Sequence, residues 1–107
     1  MRKVGLEALG RELLGRTGTA GRAADTVFGG SGNTLRQTVV ALLAGQRLAE
    51  HANPGEATLL VLTGRVRLVA PDASCEAGAG DLIAVPQARH SLEALSDAAV
   101  LLTVAKS

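Results

Sequence analysis

The chain has 107 residues, enough for one domain with its own core and too few for two. Eleven basic and ten acidic residues give a net charge of +1, no basic run is longer than a dipeptide, and Phe28 is the only aromatic residue. Nucleic acid is therefore excluded as an expected partner, because the sequence supplies neither a phosphate-binding patch nor aromatic side chains for stacking on bases. The single cysteine, Cys75, can form no disulfide within the chain, and we expect a reducing, cytoplasmic location.

The chain begins with an amphipathic segment. Leu6, Leu9, Leu13 and Leu14 recur at helical spacing, which predicts a helix over about residues 4–14 with one apolar stripe. Charged residues interrupt this segment, so we do not expect an export signal. No apolar run approaches the roughly 20 residues of a membrane-spanning helix, and we expect a soluble protein without membrane contact.

The middle of the chain changes from a connector to strands. Residues 15–25 are rich in glycine and polar residues, and a short strand over about 26–28 and a GGSGN turn follow them. Extended segments separated by turn residues are predicted at 34–43, 46–51, 57–63, 65–70, 74–77, 82–85, 90–95 and 98–104. This spacing predicts an all-β antiparallel sandwich or barrel over 34–107, preceded by a helix and connector over 1–33. A helix over 34–50 is the alternative, because leucine, alanine and glutamine also favour helices.

Two consecutive strands differ in their patterns. The segment RVRLVA (65–70) alternates arginine with apolar residues, so one of its faces meets solvent. The segment ATLLVLT (57–63) is apolar on both faces, so both faces must be buried. The core buries one face, and either the N-terminal helix or a second subunit buries the other. We expect outward-facing residues such as Leu60, Leu62 and Leu101 to exceed what one short helix covers, which predicts a two-fold symmetric homodimer.

The chain has two histidines, and both are candidate site residues. His51 and Asn53 are two residues apart, so on an extended strand their side chains share one face. His90 lies far along the chain, and only a closed sandwich would bring it near His51. Each histidine is either a ligand-binding group or a buried polar group satisfied by a neighbour. Asn53 precedes a proline and is also a typical turn residue.

Gln37 is a further candidate. It shares one face of its predicted strand with Leu35, Val39 and Ala41, and if this face lines the barrel, Gln37 is a polar group in an apolar pocket. Such a group usually orients a small molecule. The alternative is an amide satisfied by the backbone at a strand end.

The segment GQRLAEHANPGEATLLVLTG (45–64) resembles the first sequence motif of the cupin superfamily: Gly45, His51 and Gly64 stand at the motif's places with its spacing. The segment GDLIAVPQARHSLEA (80–94) resembles the second motif through Gly80, Pro86 and His90. In this second segment the interval between Pro86 and His90 is one residue short, Ala88 stands at a glycine place and Ala94 at an asparagine place. The resemblance covers about residues 34–105.

The resemblance implies a cupin-like double-stranded β-helix, or jelly-roll barrel, with a site at its mouth or interior. In the family the metal is held by two histidines and a glutamate of the first motif and a histidine of the second. Asn53 replaces the second histidine here and Ala57 replaces the glutamate. Glu56 is adjacent, but one residue of register turns a side chain to the other face. The remaining set for a Zn, Mn, Fe or Ni ion is His51, His90 and the Asn53 oxygen, which lacks an anionic ligand.

Two functions follow from these observations. The first is a small-molecule-binding or sensing protein with a degenerate metal site, in which His51, Asn53, His90 and Gln37 contact a small organic ligand. The second is a metal-dependent cupin enzyme of oxygenase or isomerase type that uses two histidines and an oxygen ligand. In both we expect His51 and His90 to face each other across the barrel interior. A DNA-binding regulator is not expected, because residues 1–33 contain no recognition helix.

Overall fold

The computed structural model describes residues 1–51 and 55–106, including the side chains of all of these except Glu50, His51 and Lys106. One helix, α1 (Leu6–Leu14), precedes the strands, and a 3-10 turn at Gly18–Ala20 follows it. The strands are β1 (Arg22–Phe28), β2 (Leu35–Leu42), β3 (Arg47–His51), β4 (Gly55–Thr63), β5 (Arg65–Ala70), β6 (Ala73–Gly78), β7 (Leu82–Ala84), β8 (His90–Ala94) and β9 (Ala98–Lys106). Within the described residues, no helix is both long and apolar enough to cross a membrane.

The strands form two antiparallel sheets. The five-stranded sheet has the order β1-β2-β9-β4-β7, and the four-stranded sheet has the order β3-β8-β5-β6. The two sheets enclose one aliphatic core, in which Leu42, Val61, Val66 and Val100 are almost completely buried. The predicted all-β jelly roll with a short N-terminal helix is confirmed, and the alternative helix over 34–50 is wrong.

Helix α1 covers part of the outer face of the five-stranded sheet. Leu13 is buried against Val39 and Leu101 in a second apolar cluster, and Leu60 and Leu62 are half-buried at its border. The helix packs very closely on the sheet and helps to bury Leu101, but Leu60 and Leu62 stay half-buried. The expectation that such leucines exceed what one short helix covers, and the homodimer predicted from it, stays a prediction.

Gly10 makes this close packing possible. A Cβ atom at Gly10 would lie 2.7 Å from the Cβ of Ala99 on β9, closer than two carbon atoms approach without displacement. The absence of a side chain at Gly10 and the small side chain of Ala99 therefore let the helix backbone approach the strand.

The link between β4 and β5 carries the chain from one sheet to the other. Gly64 is its only residue, with φ of +79°, and a Cβ atom there would lie 2.1 Å from the Asp97 carbonyl oxygen. A glycine is required because other residues rarely adopt this φ and no side-chain atom fits.

The N-terminal third is more regular than the sequence predicted. Strand β1 begins at Arg22, whereas the pattern placed a connector over 15–25 and a strand only over 26–28. It pairs along β2, with Ala23 opposite Ala41 and Thr26 opposite Thr38. The alanine and polar residues of β1 carry little strand signal of their own, and its pairing with β2 determines its extended conformation.

Candidate functional site

The two histidines meet where β3 ends and β8 begins. Leu48 pairs with Leu92, and His51 pairs with His90, so two residues of β3 lie opposite one residue of β8 between these pairs. This extra residue is a β-bulge, which shifts the register by one position. Without it, Glu50 would stand opposite His90.

His90 is a buried polar residue, with 4% of its surface exposed. It lies on the same face of β8 as Leu92 and Ala94, which belong to the core. Its Nδ1 atom lies 3.0 Å from the Ala88 carbonyl oxygen. Because a carbonyl only accepts, Nδ1 carries the proton, and this bond orients the ring.

The five-stranded sheet contributes an apolar floor at the same end of the sandwich. Val104 pairs with Ala57, and both are 7% exposed and belong to the core. The Val85 N–H donates to the Ala57 carbonyl oxygen over 3.0 Å, where the chain leaves β7 for His90. Since β3 leads into β4 and β7 leads into β8, these positions share one end of the molecule. This end is formed by His51, Ala57, His90 and Val104, and we call it the histidine end.

The structure places the predicted site residues in different parts of the fold. His51 and His90 lie on neighbouring strands of one sheet, so the expectation that they face each other across the interior is wrong. Ala57 is on the interior face at the family's glutamate place. Glu56 is exposed on the opposite face of β4, so it does not replace that glutamate. Asn53 lies outside the described residues.

Gln37 lies on the outer face of β2. It shares this face with Val39, which packs beneath α1, whereas Val40 and Leu42 face the interior. Its Nε2 atom donates to the Thr103 Oγ1 over 3.2 Å. The interpretation that this face of β2 lines the barrel is wrong, because β2 is apolar on both faces and alternation alone does not tell which one is inside.

Arg36 is the residue that the sequence interpretation missed. It lies on the interior-facing side of β2, pairs with Val104 in the sheet, and is exposed beyond the end of the core. The Arg36, Val104 and Ala57 positions thus form one row across three adjacent strands. The signal that would find it is its two-residue spacing from Thr38 and the interior Val40, once the inner face of β2 is known.

The described residues do not fit a firmly held metal ion. No three histidine, cysteine, aspartate or glutamate side chains in the described part of the chain converge on one point. Ala57 offers no donor atom in place of the carboxylate that the resemblance implies. Two imidazoles and a neutral amide oxygen lack the anionic ligand that compensates the charge of a divalent ion.

Two cavities lie on the outer face of the five-stranded sheet, beside the area that α1 covers. A cavity of about 390 Å³ there is bordered by Glu56, Thr58, Thr103 and Ala105. A neighbouring cavity of about 470 Å³ is bordered by Gln37 and Phe28, among other residues. Ala57 also borders the first cavity, so this surface adjoins the histidine end, although His90 borders neither cavity.

Comparison with known proteins gives a family match. The family model described as Cupin domain matches residues 38–105. A search of curated protein sequences found no match. Many solved structures are similar to this chain.

Three of these structures illustrate the range of similarity. A conserved protein of unknown function from Streptococcus pyogenes is 26% identical, with 80% of this chain and 75% of that chain covered and a TM-score of 0.73. An RmlC-like cupin protein from Desulfovibrio desulfuricans is 27% identical, with 78% and 81% covered and a TM-score of 0.68. A protein of unknown function from Rhizobium leguminosarum is 20% identical, covers 100% of this chain and 98% of its own, and has a TM-score of 0.73. This third structure shows that the fold extends over the whole chain, helix α1 included.

Proposed function

The chain belongs to the cupin family, and from this premise we propose that it binds a small organic molecule at the histidine end without a firmly held metal ion. The observation that carries the proposal is Ala57, an apolar residue on the interior face at the place where the family's metal site needs a carboxylate. An apolar floor beside a buried imidazole is typical of small-molecule sites, in which a few polar groups orient the ligand.

The proposed ligand-binding groups are His90 and His51, with Asn53 as a third candidate. Directly opposed residues of an antiparallel pair share one face of the sheet, so the register supports joint contact of His51 and His90 with one ligand. The hydrogen bond from Nδ1 to Ala88 supports a fixed ring orientation for His90. Val104 and Ala57 supply apolar contacts.

A larger side chain at position 57, in the apolar floor of the site, tests the proposal. We expect isobutyrate or isobutyramide, titrated into isotopically labelled protein, to shift the backbone amide signals of Ala57, His90 and Val104. We expect Ala57→Leu to abolish these shifts because the larger side chain occupies the site. The matched control is Ala105→Leu, which adds the same volume on the outer face of the adjacent strand and should leave binding intact. Shifts that persist in Ala57→Leu, or that neither probe produces, contradict the proposal.

A metal-dependent enzyme of oxygenase or isomerase type is the competing outcome. It is tested by metal analysis of protein purified without a histidine tag. A stoichiometric transition metal that disappears in His51→Ala would overturn the metal-free proposal.

Rebuilding the family's ligand set tests the assigned register. We expect the double variant Asn53→His, Ala57→Glu to bind Zn, Mn, Fe or Ni at least about a thousandfold more tightly than the natural chain, about 4 kcal/mol. The gain comes from an imidazole and an anionic oxygen added to the two existing histidines. Titration calorimetry measures it. Asn53→His with Ala57→Gln is the matched control, because the amide has the same shape without the charge. A folded double variant that binds none of these ions would show that the register is wrong.

A further inference from the structure

We propose that the molecule bound at the histidine end is a short aliphatic carboxylate, and that Arg36 holds its carboxylate group. This inference rests on the proposed function and specifies the chemical class of its ligand. It starts from the row of Arg36, Val104 and Ala57 across the five-stranded sheet.

Arg36 stands at the border between the core and solvent. The regular pairing of β2 with β9 continues from Leu42 to Leu35 without a bulge, so Arg36 lies on the same side of β2 as the buried Val40 and Leu42. Its side chain is exposed, whereas Val104 next to it is buried. The guanidinium is therefore on the interior side of the sheet but past the end of the aliphatic core.

The charge of Arg36 has no counter-ion in the described part of the chain. Its side chain makes no ion pair or hydrogen bond there, unlike Arg65 and Arg67, which pair with Glu76. A carboxylate at position 57 would stand two strands away, about 10 Å at the usual strand separation, within reach of a long arginine side chain. Since position 57 is an alanine, the row carries a net positive charge.

The replacement of the family's glutamate by Ala57 reverses the charge of the ligand that the site favours. The carboxylate at the family's place serves a cation, whereas a row with a guanidinium and no carboxylate favours an anion. Arginine presents a planar set of donors that matches both oxygens of a carboxylate. The Glu56 carboxylate does not oppose this, because it lies on the outer face of β4.

The apolar part of the ligand follows from the remaining surfaces. Val104 and Ala57 form the floor on one sheet, and His90 lies on the interior face of the other sheet. Side chains already fill most of the space between packed sheets, so the apolar part of the ligand is limited to a few carbon atoms. We therefore test a branched chain of four carbons with one carboxylate.

A pair of probes with the same shape and different charge tests the inference. Isobutyrate and isobutyramide differ only in the carboxylate, and a six-atom probe should bind with a dissociation constant on the order of 10 mM. We expect isobutyrate to shift the amide signals of Ala57, Val104 and His90 with about tenfold higher affinity than isobutyramide, the gain of one charge-assisted hydrogen-bonded pair. The preference should fall as salt is added, because Arg36 is exposed.

Variants then separate the role of Arg36 from nonspecific charge. We expect Arg36→Gln to weaken isobutyrate binding about tenfold and to leave isobutyramide unchanged, while Arg36→Lys retains part of the preference. The control is Arg65→Gln, which removes one positive charge from the outer face of the four-stranded sheet and should change neither affinity.

The outcomes distinguish this inference from the proposed function. If the two probes bind equally, or if Arg36→Gln keeps the preference, the carboxylate inference is overturned and the proposed small-molecule site stands. If neither probe shifts these amides in the folded protein, the site itself is refuted and both proposals are overturned with it.

Discussion

Strands β4 and β5 follow one another with only Gly64 between them, yet they need opposite environments. Strand β4 is apolar on both faces: its inner residues lie in the core, and Leu60 and Leu62 pack toward α1. Strand β5 alternates, with Val66 and Leu68 inside and arginines outside. These two consecutive strands thus lie in different sheets. The outer face of β4 is apolar and that of β5 is charged, as their sequence patterns predict.

The outer faces of the two sheets show the consequence. The outer face of the four-stranded sheet carries ion pairs in water, with Arg67 2.8 Å from Glu76 and 3.5 Å from Glu93. The outer face of the five-stranded sheet carries an apolar cluster and a helix. The apolar outer face of β4 and its neighbours therefore requires a covering helix. The charged outer face of the four-stranded sheet requires none.

Truncating the helix contact should have the largest effect. We expect Leu13→Ala to lower the free energy of unfolding by about 2–4 kcal/mol, because Leu13 is 3% exposed and its loss leaves a cavity between α1 and the sheet. Denaturant unfolding measures this change. Arg67→Ala, the matched truncation on the outer face of the four-stranded sheet, should lower the free energy of unfolding much less, because the ion pairs of Arg67 lie in water. Equal losses in the two variants would contradict the comparison.

The part of the apolar sheet that α1 leaves uncovered leads to a second prediction. Phe28 is 50% exposed and Leu82 is 64% exposed, at opposite edges of this face. Arg2 reaches the Val27 carbonyl oxygen at the β1 side, and Glu56 lies on the β4 side. A two-fold axis along β9 would bring the basic side of one copy over the acidic side of another. We therefore propose that this surface joins two copies of the chain.

Light scattering tests this homodimer. We expect a mass of twice 10.8 kDa at micromolar concentration. Leu82→Glu should weaken association at least about tenfold, about 1.4 kcal/mol, because it places a charge in the interface. Ser74→Glu, on the edge strand of the four-stranded sheet, should leave the mass unchanged. A mass near 10.8 kDa for the natural chain refutes the dimer.

The smallest effect is expected on the charged sheet. A side-chain hydrogen bond from Arg67, and then its positive charge, lowers the pKa of Glu76 in the folded state. A lowered folded-state pKa stabilises the protein above the carboxylate's unfolded pKa, and this contribution is lost as pH falls through the folded-state pKa. We expect Glu76→Gln to lower the Tm slightly at neutral pH and not in acid. Asp72→Asn is the control, since Asp72 lies in the exposed turn between β5 and β6 and has no ion pair among the described residues, and it should leave the Tm nearly unchanged at neutral pH. A Glu76→Gln effect of equal size at both pH values contradicts this origin.

Much of the fold followed from local patterns. The strand bounds from β2 to β9 agree with the sequence prediction within two residues, and β5 agrees at both ends. Turn residues such as Gly64 mark these bounds because few other residues adopt their backbone angles. Strand β1 was missed at its start because Arg22 and Ala23 are extended only through pairing with β2.

The residue pattern alone indicates the fold class, the family resemblance, the two histidines and the loss of the carboxylate at Ala57. Which face of β2 is inside follows only from the packing of the sheets, which places Arg36 beside Val104 and Gln37 beneath the N-terminal segment. The tertiary structure also placed His51 rather than Glu50 opposite His90. The physical reason is the same in both cases. Alternation along a strand shows that the strand has two different faces. Packing against a second sheet then selects the inner face, and pairing with a neighbouring strand selects the register.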